Sequence, residues 1–375
     1  MIKILVAGDF CPRDRVQELV ENQEFEKIFE GVVKYTSEAD YSIVNLEAPV
    51  VESQASPIDK CGPNLKCSAK AVKGLKYAGF DMVTLANNHF YDYGDAGVKD
   101  TMQSCAKENI DYVGGGINID EASKILYKDI KGVKFAFINC CEREFSIATK
   151  KTGGSNPINP IKQYYAISEA KKDADKIIVI VHGGHEHYNL PSPRMKELYR
   201  FYVDAGADAV INHHQHCYSG YEVYKRKPIF YGLGNFCFDR ATQRNTFWNE
   251  GYMVMLNIDG DITYELIPYV QGNDKPGVHI MKGGEKETFN RNIEKLNAVI
   301  ANDIQLKETR EQFMEKTKKG YLLALEPYQN KYLSALYVRK LLPSLVFSKK
   351  RMKLLNYLMC ESHIERLLYS LKNNK

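Results

Sequence analysis

From Ile2 to about Val270, short apolar runs alternate with stretches whose apolar positions recur every three or four residues. The runs fit buried strands and the stretches fit helices packed on them. Strands are expected at 2–7, 41–45, 82–85, 176–181 and 209–211. Ser68 is a suitable N-cap for a helix through Tyr77, and Gly79 a suitable stop. Further helices are expected at 97–108 and 193–204. A hairpin should turn at Lys131-Gly132, and two β pairs should follow at 221–231 and 252–269, the second turning through Asp259-Gly260-Asp261. Strands alternating with helices imply a layered α/β fold.

After Gly272 the strand pattern stops. Helical periodicity then continues at 287–302, 306–319, 332–341 and 349–372. Gly, Asn, Pro and Lys cluster between 271 and 283, which places a boundary there. The expected organisation is an α/β domain at 1–272 followed by a C-terminal helical region at 273–375.

Composition narrows the class. With 51 Lys and Arg against 47 Asp and Glu, the net charge of +4 is too balanced for a general nucleic-acid binder. The surplus gathers near the C-terminus, where nine basic residues between Arg339 and Lys375 face only Glu361 and Glu365. Apolar residues such as Leu341, Leu345, Phe347, Leu354 and Leu358 are interleaved with them. That mixture fits either a helical subdomain packing its apolar stripe inward or a peripheral contact with an anionic membrane surface. The nine Cys include no CxxC pair, and the chain opens directly on a strand. Both features suit a reducing, cytoplasmic setting, with any membrane contact peripheral, at the inner face.

Candidate chemistry concentrates in a few places. Seven of the nine His lie in three short segments, at His89, at His182, His185 and His187, and at His213, His214 and His216. Each segment follows an expected strand, as do Gly8-Asp9-Phe10 and Asn45-Leu46-Glu47. In α/β sheets such strand-end loops converge on one crevice. Asp9, Glu47, Asn88, His182, His214 and His216 therefore form a mixed carboxylate, amide and imidazole set. Such a set suits one or two divalent ions, Mn, Fe or Zn. If the loop is extended, the His214-Gln215-His216 spacing turns both imidazoles to one side. His89 is a candidate general acid and Asp92 a carboxylate to orient it. Asn87, Glu186, Asn235 and His213 are candidates to support the ligands or contact substrate.

Six segments in order carry a family resemblance: GDF at Gly8, NLEAPV at Asn45, LANNHFYDYG at Leu85, HGGHE at His182, GADAVINHHQH at Gly206 and YGLGNFCFD at Tyr231. Together they resemble the CapA family of capsule and poly-γ-glutamate synthesis proteins, which has a calcineurin-like metallophosphoesterase fold. The resemblance covers residues 2–268. It implies a four-layer αββα sandwich with two metals at the strand ends, held by the six residues named above, and His89 as general acid. It also implies an anionic polymer or phosphoester substrate and membrane-protein partners in capsule synthesis. One departure stands out: the wider superfamily opens with Asp-x-His, and Cys11 occupies the place of that histidine. Three readings stay open: a metal-dependent phosphoesterase-like hydrolase or transferase, cleavage of amide bonds with the same ligands, and a non-catalytic scaffold.

Overall fold

The computed structural model describes residues 1–328 and 330–373. They form two compact units, Met1–Lys307 and Glu308–Lys375, the division falling inside one helix. The strands of the first unit are β1 (Ile2–Phe10), β2 (Tyr41–Leu46), β3 (Met82–Thr84), β4 (Asp111–Val113), β5 (Gly115–Gly116), β6 (Leu126–Ile130), β7 (Val133–Cys141) and β8 (Gly154–Ser155). They continue with β9 (Lys176–His182), β10 (Ala209–His213), β11 (Tyr221–Tyr224), β12 (Lys227–Phe230), β13 (Asn235–Cys237), β14 (Glu250–Asp259), β15 (Asp261–Gln271) and β16 (Val278–Ile280). Its helices are α1 (Asp14–Glu21), α2 (Phe25–Glu38), α3 (Ala69–Tyr77), α4 (Gly94–Lys107), α5 (Ile119–Ala122), α6 (Pro160–Asp173), α7 (Pro193–Ala205) and α8 (Gly284–Ala301).

Two sheets carry the architecture. One runs β16-β15-β14-β1-β2-β3-β4, with β13 also paired to β1, and the other runs β11-β12-β10-β9-β7-β6. Strand alternation splits the apolar residues of β1 between two cores. Ile4 and Val6 face the second sheet, meeting a layer that includes Phe135, Phe137, Ile178, Ile180 and Ile211. Leu5 and Ala7 face outward into a core with Val16, Val20, Phe29, Val32, Val72 and Leu75. Helices α6 and α7 cover the outer face of the second sheet, contacting β7, β9, β10 and β12. The layers are therefore helix, sheet, sheet, helix, the sandwich that the sequence resemblance implied.

The hairpins form where expected. Lys131 and Gly132 both take positive φ (52° and 80°), the conformation a two-residue turn between twisted strands requires. Asp259 pairs with Asp261 across the second turn. Ser68 does precede α3, but its hydroxyl donates to Glu21 Oε1 (2.6 Å) and makes no capping bond.

Other expectations need correction. β1 runs on through Phe10, so Asp9 is a strand residue and not part of a following loop. The strand signal does not end at Gly272, because β16 adds an edge by pairing with β15. The first unit extends to Lys307, beyond the boundary placed at 272. The reason is α8, which buries Phe289 and Ile293 in the inter-sheet core. Its Asn297 Oδ1 also accepts the Tyr221 amide at 2.7 Å. In the second unit, α9 (Asp303–Ala324), which begins in the first, is followed by α10 (Lys331–Val338). The single helix expected at 349–372 is two, α11 (Ser348–Met359) and α12 (Glu361–Asn373), interrupted at the extended residue Cys360.

Candidate metal centre

The carboxyl ends of β1, β2, β3, β9 and β10 bring five sequence segments together. Parallel pairing sets Asp9 beside Asn45, Asn45 beside Thr84, and His213 beside His182. Gly8 makes the approach of the β13 segment feasible: a Cβ there would lie 2.0 Å from Gly234 O. That contact lets Asp9 accompany Asn235 in the paired register.

All six expected ligands gather at this point, and all are buried. They form two donor sets that share one residue. Glu47, His182 and His214 make the first, and Asp9, Glu47 and His216 the second, with the donor atoms of each set within 4.8 Å of one another. Asn88 joins the first set, its Oδ1 lying 3.1 Å from His182 Nε2, which is itself 3.1 Å from His214 Nδ1. Glu47 Oε1 lies 3.8 Å from both His182 Nε2 and His216 Nε2.

The fit of a cation rests on Glu47. Its carboxylate is fully buried, and neither oxygen has a hydrogen-bond partner among the described residues. A buried carboxylate without partners is costly unless a cation compensates it. Burial first, then the charges of Asp9 and Glu186, push its carboxyl far above the usual range. Asp9 goes the other way. Burial would raise it, but the contact and charge of His213, with the charges of His182 and His216, hold it below the usual range. Burial, and next the charge of His214, push His182 far down. Burial likewise brings His216 down to about 4, against the opposing pull of Asp9 and Glu186. Neutral imidazoles beside carboxylates are the forms that ligate metals.

Supporting residues fix the tautomers. Asn235 Nδ2 donates to the carbonyls of His216 and Trp248 (both 3.2 Å). Its Oδ1 therefore accepts from His216 Nδ1 at 2.9 Å, leaving the His216 Nε2 lone pair toward Glu47. His214 and His216 hold φ of 93° and 57°, so the HxH segment is not extended. Left-handed backbone at consecutive ligands, rather than strand alternation, sends one imidazole to each donor set; such strain is typical of functional sites. The His214 amide donates to Asp9 Oδ2 at 3.1 Å, which helps to hold that conformation.

The remaining expected residues take distinct places. His89 Nδ1 lies 2.7 Å from Asp92 Oδ2. Asn87 Oδ1 accepts the His89 amide, and its Nδ2 donates to Leu46 O at 2.9 Å. His213 is buried with Nδ1 3.3 Å from Asp9 Oδ1. Glu186 sits exposed at the rim. Partial burial would raise its carboxyl, but the charges of His216, His214, His187 and His89 outweigh this and leave it low. Cys11 is buried in the outer core and belongs to neither donor set, so it does not replace the histidine of Asp-x-His.

Two residues were not singled out from the sequence. Asn45 Nδ2 donates to Asp9 Oδ1 (2.7 Å) and lies 3.3 Å from His182 Nδ1, tying the two sheets together at the ligands. A buried amide directly after Ile43-Val44 in β2 was the available signal. Lys60 left none. Its side chain is only 2% exposed, and Nζ pairs with Asp92 Oδ1 and lies 3.2 Å from His89 Nδ1. The same Asp92 accepts the Leu65 amide at 2.7 Å, which pins the loop carrying Lys60.

Residues 3–240 match the family model described as bacterial capsule synthesis protein PGA_cap. The chain belongs to this family. The chain is similar to the capsule biosynthesis protein CapA of Bacillus anthracis, 35% identical over 287 residues, covering 73% of this chain and 69% of that protein. The PGA biosynthesis protein CapA of Bacillus subtilis (strain 168) is 38% identical over 242 residues, 63% of each chain. Among solved structures, a putative 5′-nucleotidase from Staphylococcus aureus shares 18% identity and a TM-score of 0.45, covering 78% of this chain and 58% of that one. The family match contains every segment of the centre: Asp9, Glu47, Asn88, His182, His214, His216 and Asn235 all lie within it.

Proposed function

We propose that this capsule-synthesis family member is a metal-dependent, phosphoesterase-like hydrolase or transferase acting in the formation of an anionic envelope polymer such as poly-γ-glutamate. The observation that carries the reading is Glu47, a buried carboxylate without hydrogen-bond partners among the described residues that belongs to both donor sets. Glu47, Asn88, His182 and His214 would hold one divalent ion, and Asp9, Glu47 and His216 a second. Such ions polarise a phosphoryl or acyl oxygen and activate water.

The protein's own groups supply the rest. His89 donates Nδ1–H to Asp92, so Nε2 is the atom that can pass a proton to a leaving group. Lys60 compensates the charge of Asp92 and holds that carboxylate in place. Asn235 and Asn45 orient His216, Asp9 and His182. Glu186, at the rim, is positioned to meet substrate. The substrate is a phosphoester or a segment of the anionic polymer, and membrane proteins of capsule synthesis are the expected partners.

The test combines metal analysis with a model phosphodiester. Reconstitution with Mn or Zn should give up to two ions per chain, and His89→Ala should keep them while lowering turnover by roughly 10²–10⁴-fold. Unchanged turnover in that variant refutes the acid role. The second set has three protein donors and no histidine at position 11, which favours a scaffold reading in one specific outcome: no ion bound after reconstitution.

A further inference from the structure

The C-terminal unit and the unit bearing the metal centre differ in charge. Residues 308–375 carry fourteen basic and six acidic side chains, a net +8, whereas the whole chain carries +4. Residues 1–307 are therefore net negative.

Apolar side chains of this basic unit face solvent. On α11, Met352, Leu355, Leu358 and Met359 are 68%, 45%, 52% and 78% exposed, and Phe347 just before the helix is 66% exposed. Met352, Leu355 and Met359 recur at intervals of three and four, so they share one face. Lys349 and Arg351 flank that face, and Lys350 and Lys353 lie further round the helix, all four exposed. The half-buried Tyr357 is engaged elsewhere, its ring 5.4 Å from that of His363 on α12. Leu368 and Leu371 of α12 are exposed as well. Neither α10 nor α11 buries a single residue completely.

The structure assigns this face to an anionic lipid bilayer, on which α11 lies in the interface plane. An exposed apolar stripe bordered by Lys and Arg is the pattern of interfacial helices. Among the described residues no helix is long and apolar enough to cross a membrane, so the contact lies on the surface. Charge selects the occupant. A second copy would bring a like-charged unit, and a soluble polyanion would leave the methionine and leucine stripe in water. Each basic residue at an anionic surface strengthens partitioning roughly fivefold. This inference is independent of any reaction at the metal centre.

The experiment is co-sedimentation of the full chain with vesicles of phosphatidylcholine, with and without phosphatidylglycerol. The expected result is binding to the anionic vesicles alone, weakened by salt. M352D/M359D and, separately, K349E/R351E should each reduce it at least about tenfold, with unchanged helical circular dichroism. Three results overturn the assignment. They are equal or absent binding to both vesicle types, wild-type binding by M352D/M359D, and a dimer detected by light scattering that M352D/M359D abolishes. A preference for soluble polyglutamate with no vesicle binding overturns it as well.

Discussion

Glu47→Gln tests the metal centre through stability alone. In the metal-free protein, the buried Glu47 carboxyl is held far above its ordinary value of 4.5. A raised folded-state value means that its favourable contribution is complete below about pH 4.5 and is lost as pH rises toward the folded value. Near neutral pH the side chain is therefore a net cost. Glutamine keeps the shape and removes the charge, so the metal-free variant should be more stable than wild type by about 1–3 kcal/mol. Metal should reverse the ranking. At a hundred times Kd, an ion bound to the native state stabilises wild type by about 2.7 kcal/mol. That corresponds to a rise of roughly 5 °C in a domain of this size. The variant has lost the donor common to both sets and should gain less than about half of that. Urea unfolding followed by Trp248 fluorescence reads both effects. Trp248 is the single tryptophan, 4% exposed, with its ring 4.6 Å from His216. A metal-free variant less stable than wild type that still gains the full metal-induced rise would refute the reasoning.

Other perturbations probe the surrounding shell. Lys60→Met leaves Asp92 as a buried charge without its cation and should cost about 3–5 kcal/mol, with K60M/D92N recovering much of the loss in urea unfolding. For the metal-free protein, the depressed value of about 4 at His216 sets an acid limb: its stability contribution is complete above about pH 6.5 and disappears as pH falls toward 4. His216→Gln should flatten that limb in unfolding curves measured across pH. Gly8→Ala places a methyl against Gly234 O; it should destabilise by about 1–3 kcal/mol and weaken Mn affinity measured by calorimetry, because β1 and β13 must separate beside Asp9.

The one-dimensional pattern reached far for the ligands and less far for their surroundings. Asp9, Glu47, Asn88, His182, His214 and His216 were legible because each directly ends or follows an apolar run, and strand ends of a layered α/β fold converge. Lys60 was not, since it sits in an irregular loop whose path is set by hydrogen bonds to Asp92 made only after folding. The edge strand β16 escaped for a related reason. Three residues carry too short an alternation to register, and pairing with β15 supplies the stabilisation.

The sequence by itself determined the alternation of strands and helices that makes a layered α/β fold, the identities of the donors and the basic character of the C-terminus, because local periodicity and side-chain chemistry reside in neighbouring residues. Tertiary structure decided that Glu47 belongs to both donor sets, that left-handed backbone at His214 and His216 divides the imidazoles between them, and that Cys11 faces a core. It also decided which apolar residues of α11 meet solvent. Each of these depends on distances between segments far apart in the chain, and those distances are fixed by sheet register and by the stacking of one sheet on the other.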